Sequence, residues 1–167
     1  ISVHVTDDRG YALDRVEVRA VSLDPAVPLR RTLFTDDNGD VEVPDAAGLP
    51  LRFTLSRSGK TPRVEEADPA PSKMVFELAE GILGLGRVTG RDGRDRIADA
   101  EIVAHTPYGV RRAVTNVDGE FELPDLAPGR IRIVASHAAW ATEANIVDVR
   151  ADSGHRADLG AIDLSEA

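Results

Sequence analysis

The stretch TDDNGDVEVPD, residues 35–45, returns eighty positions later as TNVDGEFELPD, residues 115–125. The two stretches have the same residue at five of their eleven positions, which are Thr35/Thr115, Gly39/Gly119, Glu42/Glu122, Pro44/Pro124 and Asp45/Asp125. In both stretches a polar turn containing Gly precedes residues that alternate between apolar and polar, as a half-buried strand requires. The stretch therefore predicts a turn followed by a strand, and the chain contains this unit twice.

The dipeptides Asn38-Gly39 and Asp118-Gly119 define the kind of turn we expect. Both favour a tight β-hairpin, because its central residues need positive φ and Gly and Asn tolerate that best. Pro44 and Pro124 follow the alternating residues and predict the end of each strand, since Pro cannot donate to a sheet ladder. The expected local structure is a hairpin, a strand and a stop.

The repetition extends through both halves of the chain. Val16–Ala20 matches Ala100–Ala104, and Leu51–Leu55 matches Ile131–Ala135, each with apolar residues at alternate positions. Short runs of this kind, separated by Gly, Pro, Asp and Asn, are typical of an all-β sandwich. Residues 138–148 also read as a strand, with Ile146 and Val147 expected to be buried. We predict two tandem sandwiches, residues 1–81 and 84–167.

Composition and charge exclude several kinds of function. The chain has 20 basic and 29 acidic residues and a net charge of −9, with both halves acidic, which argues against nucleic acid as a partner. Cysteine is absent, so disulfides and thiolate metal sites are excluded. No apolar run approaches the roughly 18 residues of a membrane span, so we expect no membrane insertion of this segment. No cofactor is indicated.

The acidic residues of the first stretch suggest a calcium loop. An EF-hand loop needs oxygen ligands at positions 1, 3 and 5, and Gly at position 6. With Gly39 at position 6, position 1 is Phe34, which offers no ligand atom. The pattern favours a turn with solvated carboxylates, and an irregular calcium site that uses Asp36, Asp37 or Asp40 is the alternative.

No catalytic pattern stands out. The histidines, His4, His105, His137 and His155, share no metal-ligand spacing, and no Gly-x-Ser-x-Gly nucleophile motif occurs. We therefore predict no catalytic residues and no enzyme.

Arginine pairs and a single tryptophan are the candidate partner-binding residues. Arg30-Arg31 and Arg111-Arg112 recur on the same strand of both copies, where they either protect an exposed strand edge or contact a partner or anion. Trp140, the sole tryptophan, is either part of the core at the end of the second copy or an exposed interface anchor.

Taken together, these motifs resemble the carboxypeptidase regulatory-like domain, one of the transthyretin-like or prealbumin-type sandwiches. The second copy fits best, with Gly86-Arg-Val-Thr89, Ala100-Glu-Ile102, the stretch 115–125 and Leu126-Ala-Pro-Gly129. The first copy departs at Leu49, which stands where the second has Gly129. The resemblance implies seven-stranded antiparallel Ig-like sandwiches. It also implies non-catalytic modules of secreted, periplasmic or cell-surface proteins.

From this resemblance we expect a structural or protein-binding segment of a larger secreted or cell-envelope assembly, with protein partners. One alternative is a carbohydrate- or peptidoglycan-binding module, for which one Trp and two Tyr are a thin supply of aromatics. A further alternative is a transthyretin-like hydrolase, although the Arg-Gly-Ser ending that marks those enzymes is absent.

Overall fold

The computed structural model describes residues 1–167 and divides into two compact units, Ile1–Glu80 and Gly81–Ala167. Both units are built of β-strands joined by turns. No helix in the structure has the length and apolar character that a membrane crossing requires.

The first unit contains seven strands, which are β1 (Ser2–Asp7), β2 (Glu17–Ser22), β3 (Arg30–Phe34), β4 (Asp40–Glu42), β5 (Leu51–Ser56), β6 (Arg63–Ala67) and β7 (Lys73–Leu78). They form a three-stranded sheet in the order β4-β1-β7 and a four-stranded sheet in the order β3-β2-β5-β6. Apolar residues at alternate strand positions meet between the sheets, where the rings of Phe53 and Phe76 lie 5.6 Å apart.

The second unit contains β8 (Ile82–Gly90), β9 (Asp95–Arg96), β10 (Glu101–Thr106), β11 (Gly109–Val114), β12 (Glu120–Leu126), β13 (Gly129–His137), β14 (Trp140–Val149) and β15 (Arg156–Leu164). One sheet has the order β12-β8-β15, with the short β9 also paired to β8. The other has the order β11-β10-β13-β14. Except for β9, each strand takes the place of its counterpart in the first unit.

These sheets confirm the all-β sandwich class, with one parallel pairing in each unit. The last strand of each unit runs parallel to the first: β7 beside β1, and β15 beside β8. All other pairings are antiparallel. The parallel pairing arises because the intervening strands carry the chain through the opposite sheet before it returns, and parallel neighbours need such a crossover.

The repeated stretch is not a hairpin, so that prediction was wrong. The strands on either side of the turn pair in different sheets: β3 pairs with β2, whereas β4 pairs with β1. In the second unit β11 pairs with β10, whereas β12 pairs with β8. A two-residue hairpin of the predicted type needs positive φ at both central residues. Only Gly39 (φ 76°) and Gly119 (φ 73°) meet this condition within their dipeptides. The stretch is the turn that carries the chain from one sheet to the other.

A buried threonine hydroxyl anchors this turn in each unit. The Thr35 hydroxyl donates to the Leu13 carbonyl (2.6 Å) and accepts the Val16 N–H (2.9 Å). The Thr115 hydroxyl does the same, donating to Ile97 (2.7 Å) and accepting from Ala100 (2.8 Å). Each hydroxyl therefore satisfies two buried backbone groups.

The glycine of the turn contacts the central strand of the opposite sheet. The Gly39 carbonyl accepts the Val5 N–H at 2.8 Å, and the Gly119 carbonyl accepts the Val88 N–H at 2.7 Å. A Cβ at either glycine would lie 2.5 Å from the carbonyl oxygen of that same valine. Because both the positive φ and this close approach exclude a side chain, only glycine fits.

The proline of the stretch ends the strand in the first unit only. β4 stops at Glu42, before Pro44, as predicted. β12 instead continues to Leu126, and its register to β8 shifts between Leu123 and Leu126, so Pro124 lies at an irregularity inside the strand. The strand tolerates this proline because such bulges leave a residue unpaired.

We predict that Thr115→Val destabilises the second unit by about 1–3 kcal/mol, because the near-isosteric side chain leaves the Ile97 carbonyl and the Ala100 N–H buried without partners. Thr115→Ser keeps the hydroxyl and is the matched control, so its loss should be smaller. Urea unfolding followed by circular dichroism measures both. Equal losses for the two variants would show that the hydroxyl does not stabilise the turn.

We predict that Gly119→Ala destabilises the protein more than Gly93→Ala. Both glycines have positive φ, 73° and 81°, so both variants bear a strain of about 1–2 kcal/mol. Only the alanine at position 119 also meets a backbone oxygen at 2.5 Å, since nothing lies within 4 Å of a Cβ at position 93. The difference between the two melting temperatures measures the clash alone, and no difference would contradict it.

Candidate functional site

In the acidic turn of residues 36–40, the side chain of Asp36 accepts hydrogen bonds from the turn's own backbone. Asp36 Oδ1 accepts the N–H groups of Asn38 (2.9 Å) and Asp40 (3.0 Å). In the second unit the amide oxygen of Asn116 accepts the N–H groups of Asp118 (3.0 Å) and Glu120 (2.9 Å). Because a neutral amide performs the same task, the turn needs an acceptor atom at this position and not a charge.

The other two calcium candidates do not form a metal-holding group with Asp36. Asp40 Oδ1 lies 2.7 Å from His4 Nδ1, and Asp37 is exposed. No group of three or more His, Asp or Glu side chains in the structure is arranged to hold a metal ion. Asp36, Asp37 and Asp40 are therefore adjacent in sequence without converging on one centre.

Two further aspartates accept backbone hydrogen bonds in the same pattern. Asp7 Oδ1 accepts from Arg9 and Tyr11, and Asp152 Oδ1 accepts from Gly154 and Arg156. The Tyr11 N–H, with a smaller contribution from Arg9, holds the pKa of Asp7 below its ordinary value. The Arg156 and Gly154 N–H groups lower the pKa of Asp152 in the same way. These carboxylates serve turn structure.

We predict that Asp36→Asn leaves stability nearly unchanged, because the asparagine can accept the same two N–H groups, as Asn116 does. Asp36→Ala should cost about 1 kcal/mol by analogy with lost capping acceptors. Thermal melts measure both variants.

For the same reason we expect millimolar calcium to leave the melting temperature of the wild-type chain unchanged. A calcium-dependent rise that Asp36→Asn abolishes would establish the irregular calcium site instead.

The histidines do not form a catalytic group. His4 is paired with Asp40 on the surface, with side-chain exposures of 40% and 52%, and no serine hydroxyl bonds to either. His137 Nδ1 accepts the Ala139 N–H at 3.1 Å within its own turn. A nucleophile–base pair needs the two side chains within hydrogen-bond reach, and no histidine here has such a partner.

A groove of about 840 Å³ lies in the second unit, between β8, β11, β12 and β15. Its charged side chains are Arg87, Glu120, Glu122 and Asp158, and Arg87 forms an ion pair with Glu120 at 3.3 Å. Neither histidine nor serine lines it. The groove therefore offers carboxylates and a guanidinium on an open surface, without a nucleophile and its base.

The arginine pairs lie on β3 and β11, which are edge strands of the two four-stranded sheets. Successive strand residues face opposite sides of a sheet, so the members of each pair diverge. Arg31 and Arg111 are opposite the buried Ala20 and Ala104, whereas Arg112 is opposite Val103 on the outer face. Arg30 shares the outer face of its own sheet. As contacts for a partner these arginines stay a prediction.

Trp140 is partly buried and packs against the core of the second unit. Its ring covers Gly90, where a Cβ would lie 2.6 Å from two ring carbons. The core packing of the indole limits the surface that it could offer as an anchor.

Ile146 is the residue that sequence reasoning placed wrongly. It is 76% exposed, whereas Val147 packs partly against the core. Adjacent residues of a strand face opposite sides, so the two could not both be buried against the same core. Register supplies the missing information: Ile146 pairs with Arg132, which is also exposed.

Comparison with known proteins shows what the second unit is similar to. The family model of the carboxypeptidase regulatory-like domain matches residues 85–161, which confirms the resemblance there. No curated protein matches the chain.

Two pilins are among the solved structures that share the fold. The minor pilin GBS52 of the gram-positive pathogen Streptococcus agalactiae is 8% identical with a TM-score of 0.56, and the match covers 99% of this chain and 95% of the pilin. A streptococcal ancillary pilin is 12% identical with a TM-score of 0.53, and the match covers 99% of this chain. The chain spans 61% of that pilin's length.

Proposed function

We propose that this chain, whose second unit matches the family model of the carboxypeptidase regulatory-like domain, is a non-catalytic structural or protein-binding segment of a larger secreted or cell-envelope assembly. The observation that carries the proposal is the groove of the second unit, which presents carboxylates and a guanidinium to solvent without a catalytic nucleophile or histidine. The polar side chains of the repeated turns bind backbone groups, so they serve the fold.

The two pilins support the structural part of the proposal. Both are named as pilins, and both share the fold across 99% of this chain. Similarity at 8–12% identity is evidence of fold, and fold alone does not imply function. Support for a protein partner therefore depends on the surfaces of this chain, among which the edge strands β3 and β11 could accept an added strand.

Carbohydrate or peptidoglycan binding is the rival function. Sugar-binding sandwiches usually present several exposed aromatic side chains, and here Tyr11 (69% exposed) and Phe34 (59%) lie in the first unit, while Tyr108 is 36% exposed in the second. The ring of Trp140 packs over Gly90, so it is not free to stack on a sugar. We therefore rank protein binding above sugar binding, and a hydrolase below both.

Crosslinking in cells tests the proposal. The chain, expressed in its native organism with a photo-crosslinking residue at Arg30, Arg112 or the exposed control Val117, should form crosslinks to a specific protein from at least one arginine position. Mass spectrometry identifies the product. Purified chain should not be retained on peptidoglycan or on a glycan array.

The opposite result would replace the proposal. Retention on peptidoglycan or on a glycan, weakened by Tyr11→Ala, would establish the sugar-binding function. Crosslinks only to the rest of the same polypeptide, and none to another protein, would reject the protein-binding function. The chain would then be a structural spacer.

A further inference from the structure

The outer face of the four-stranded sheet of the second unit carries an apolar row. Register aligns Arg112, Val103, Val134 and Ala144 across β11, β10, β13 and β14. Val103 and Val134 are half-buried and Ala144 is exposed. We call this set the valine row. An apolar strip across an exposed sheet face, with a cation at its end, is a feature of interaction surfaces.

The neighbouring row, which we call the Arg132 row, adds larger exposed side chains. It aligns Val110, His105, Arg132 and Ile146, and the exposures of Val110 and Ile146 are 47% and 76%. Val114, 61% exposed, lies on the same face beyond the valine row. Three of the exposed large apolar side chains of this unit therefore share one face.

Three arginines on this face, Arg112, Arg130 and Arg132, have no ion pair. The ion pairs of the second unit involve Arg87, Arg91 and Arg150. The three arginines of the face are thus left without an ion pair, and Arg112 and Arg132 lie beside aliphatic side chains. An unpaired guanidinium next to apolar surface can bind a partner carboxylate while its neighbours bury aliphatic groups.

The first unit provides an internal comparison. Arg52 occupies the position of Arg132, and it pairs with Glu66 on the adjacent strand at 2.7 Å. Ile146 occupies the position of Glu66 in the second unit. The guanidinium that is neutralised in one copy is therefore free in the other.

The valine row shows the same contrast. Its counterpart in the first unit is Thr32, Arg19, Thr54 and Val64, and Arg19 pairs with Glu17 at 3.0 Å. Threonine and a paired arginine stand where the second unit has two valines. Phe34 and Val64 are exposed on the first unit's face too, so the difference lies in the central positions and in the charge.

We propose that the outer face formed by the valine row and the Arg132 row is a docking surface for a protein segment that presents carboxylates alternating with aliphatic side chains. Charge complementarity selects this partner: three arginines without an ion pair lie on the face, Arg132 on the central strand β13, Arg112 on the edge strand β11 and Arg130 opposite Asp148. The carboxylates of the face lie at its ends, at Glu101 and Asp148, and Arg150 pairs with Asp148 at 2.7 Å. This inference rests on the proposed protein-binding function and names its surface.

The variant Ile146→Glu tests the surface by making the second unit resemble the first. It supplies Arg132 with the carboxylate that Arg52 has in Glu66, and it removes the most exposed aliphatic side chain of the face. Because residue 146 is 76% exposed, the fold should survive, and circular dichroism checks this. Arg132→Gln removes only the charge. Val117→Glu, at an 84% exposed turn residue away from this face, is the matched control.

The probe is a short synthetic peptide of Glu-Ser-Val-Ser repeats, which when extended places glutamate and valine alternately on one face. It is titrated into ¹⁵N-labelled chain and followed by NMR, with a Lys-Ser-Val-Ser peptide for comparison. The acidic peptide should shift resonances of β10, β13 and β14. Ile146→Glu and Arg132→Gln should each weaken its binding at least about tenfold, the effect of losing one central contact. Val117→Glu should bind like the wild type.

Three results would overturn the inference. The first is equal binding of the lysine peptide, or no binding of either peptide. The second is shifts confined to the first unit. The third is a dimer in sedimentation velocity that Ile146→Glu dissociates, which would make the face an interface between copies of this chain.

Failure of this inference can be told apart from failure of the proposed function. If Ile146→Glu retains the protein crosslinked in cells, the protein-binding function stands and another surface carries it. Retention on peptidoglycan would reject the function itself, whatever the peptide titration shows.

Discussion

Each sandwich depends on the turn by which the chain leaves one sheet and enters the other. At that turn the hydroxyl of Thr35 or Thr115 bonds two buried backbone groups, and the glycine four residues later accepts a hydrogen bond from the central strand of the opposite sheet. A buried backbone group without a partner costs about 1–3 kcal/mol. This residue pattern therefore stabilises the turn that lets the two sheets pack face to face.

The acidity of the turn is secondary to this task. Asp36 and Asn116 accept the same two kinds of N–H, one as an anion and the other as a neutral amide. The two units share the turn, the strand order and the alternation of the core, and they differ on the outer face of the larger sheet. At equivalent positions of this face, the second unit has Arg132 beside Ile146, whereas the first unit has Arg52 paired with Glu66. The two faces therefore offer different contacts to a partner.

Sequence reasoning succeeded where the relevant interactions repeat along the chain and failed where they cross between strands. Alternation of apolar residues predicted the strands and the sandwich class, because the two faces of a strand follow from its own residues. The hairpin prediction was wrong because Gly39 permits the positive φ of a turn but does not determine which strand the chain pairs with next. Ile146 was misplaced because its exposure depends on register against Arg132, which no local pattern reveals.

The sequence contains enough information to identify a duplicated β-sandwich module, because glycine, threonine, proline and strand alternation act through local conformation and the polarity of each face. It also shows that the acids of the repeated stretch are exchangeable, since Asn116 and Val117 replace Asp36 and Asp37. The sheet that each strand joins, the bulge at Pro124 and the meeting of Val103, Val134, Arg132 and Ile146 on one face come from three-dimensional pairing. Those pairings join residues distant in sequence, and their register depends on the packing of the whole sandwich.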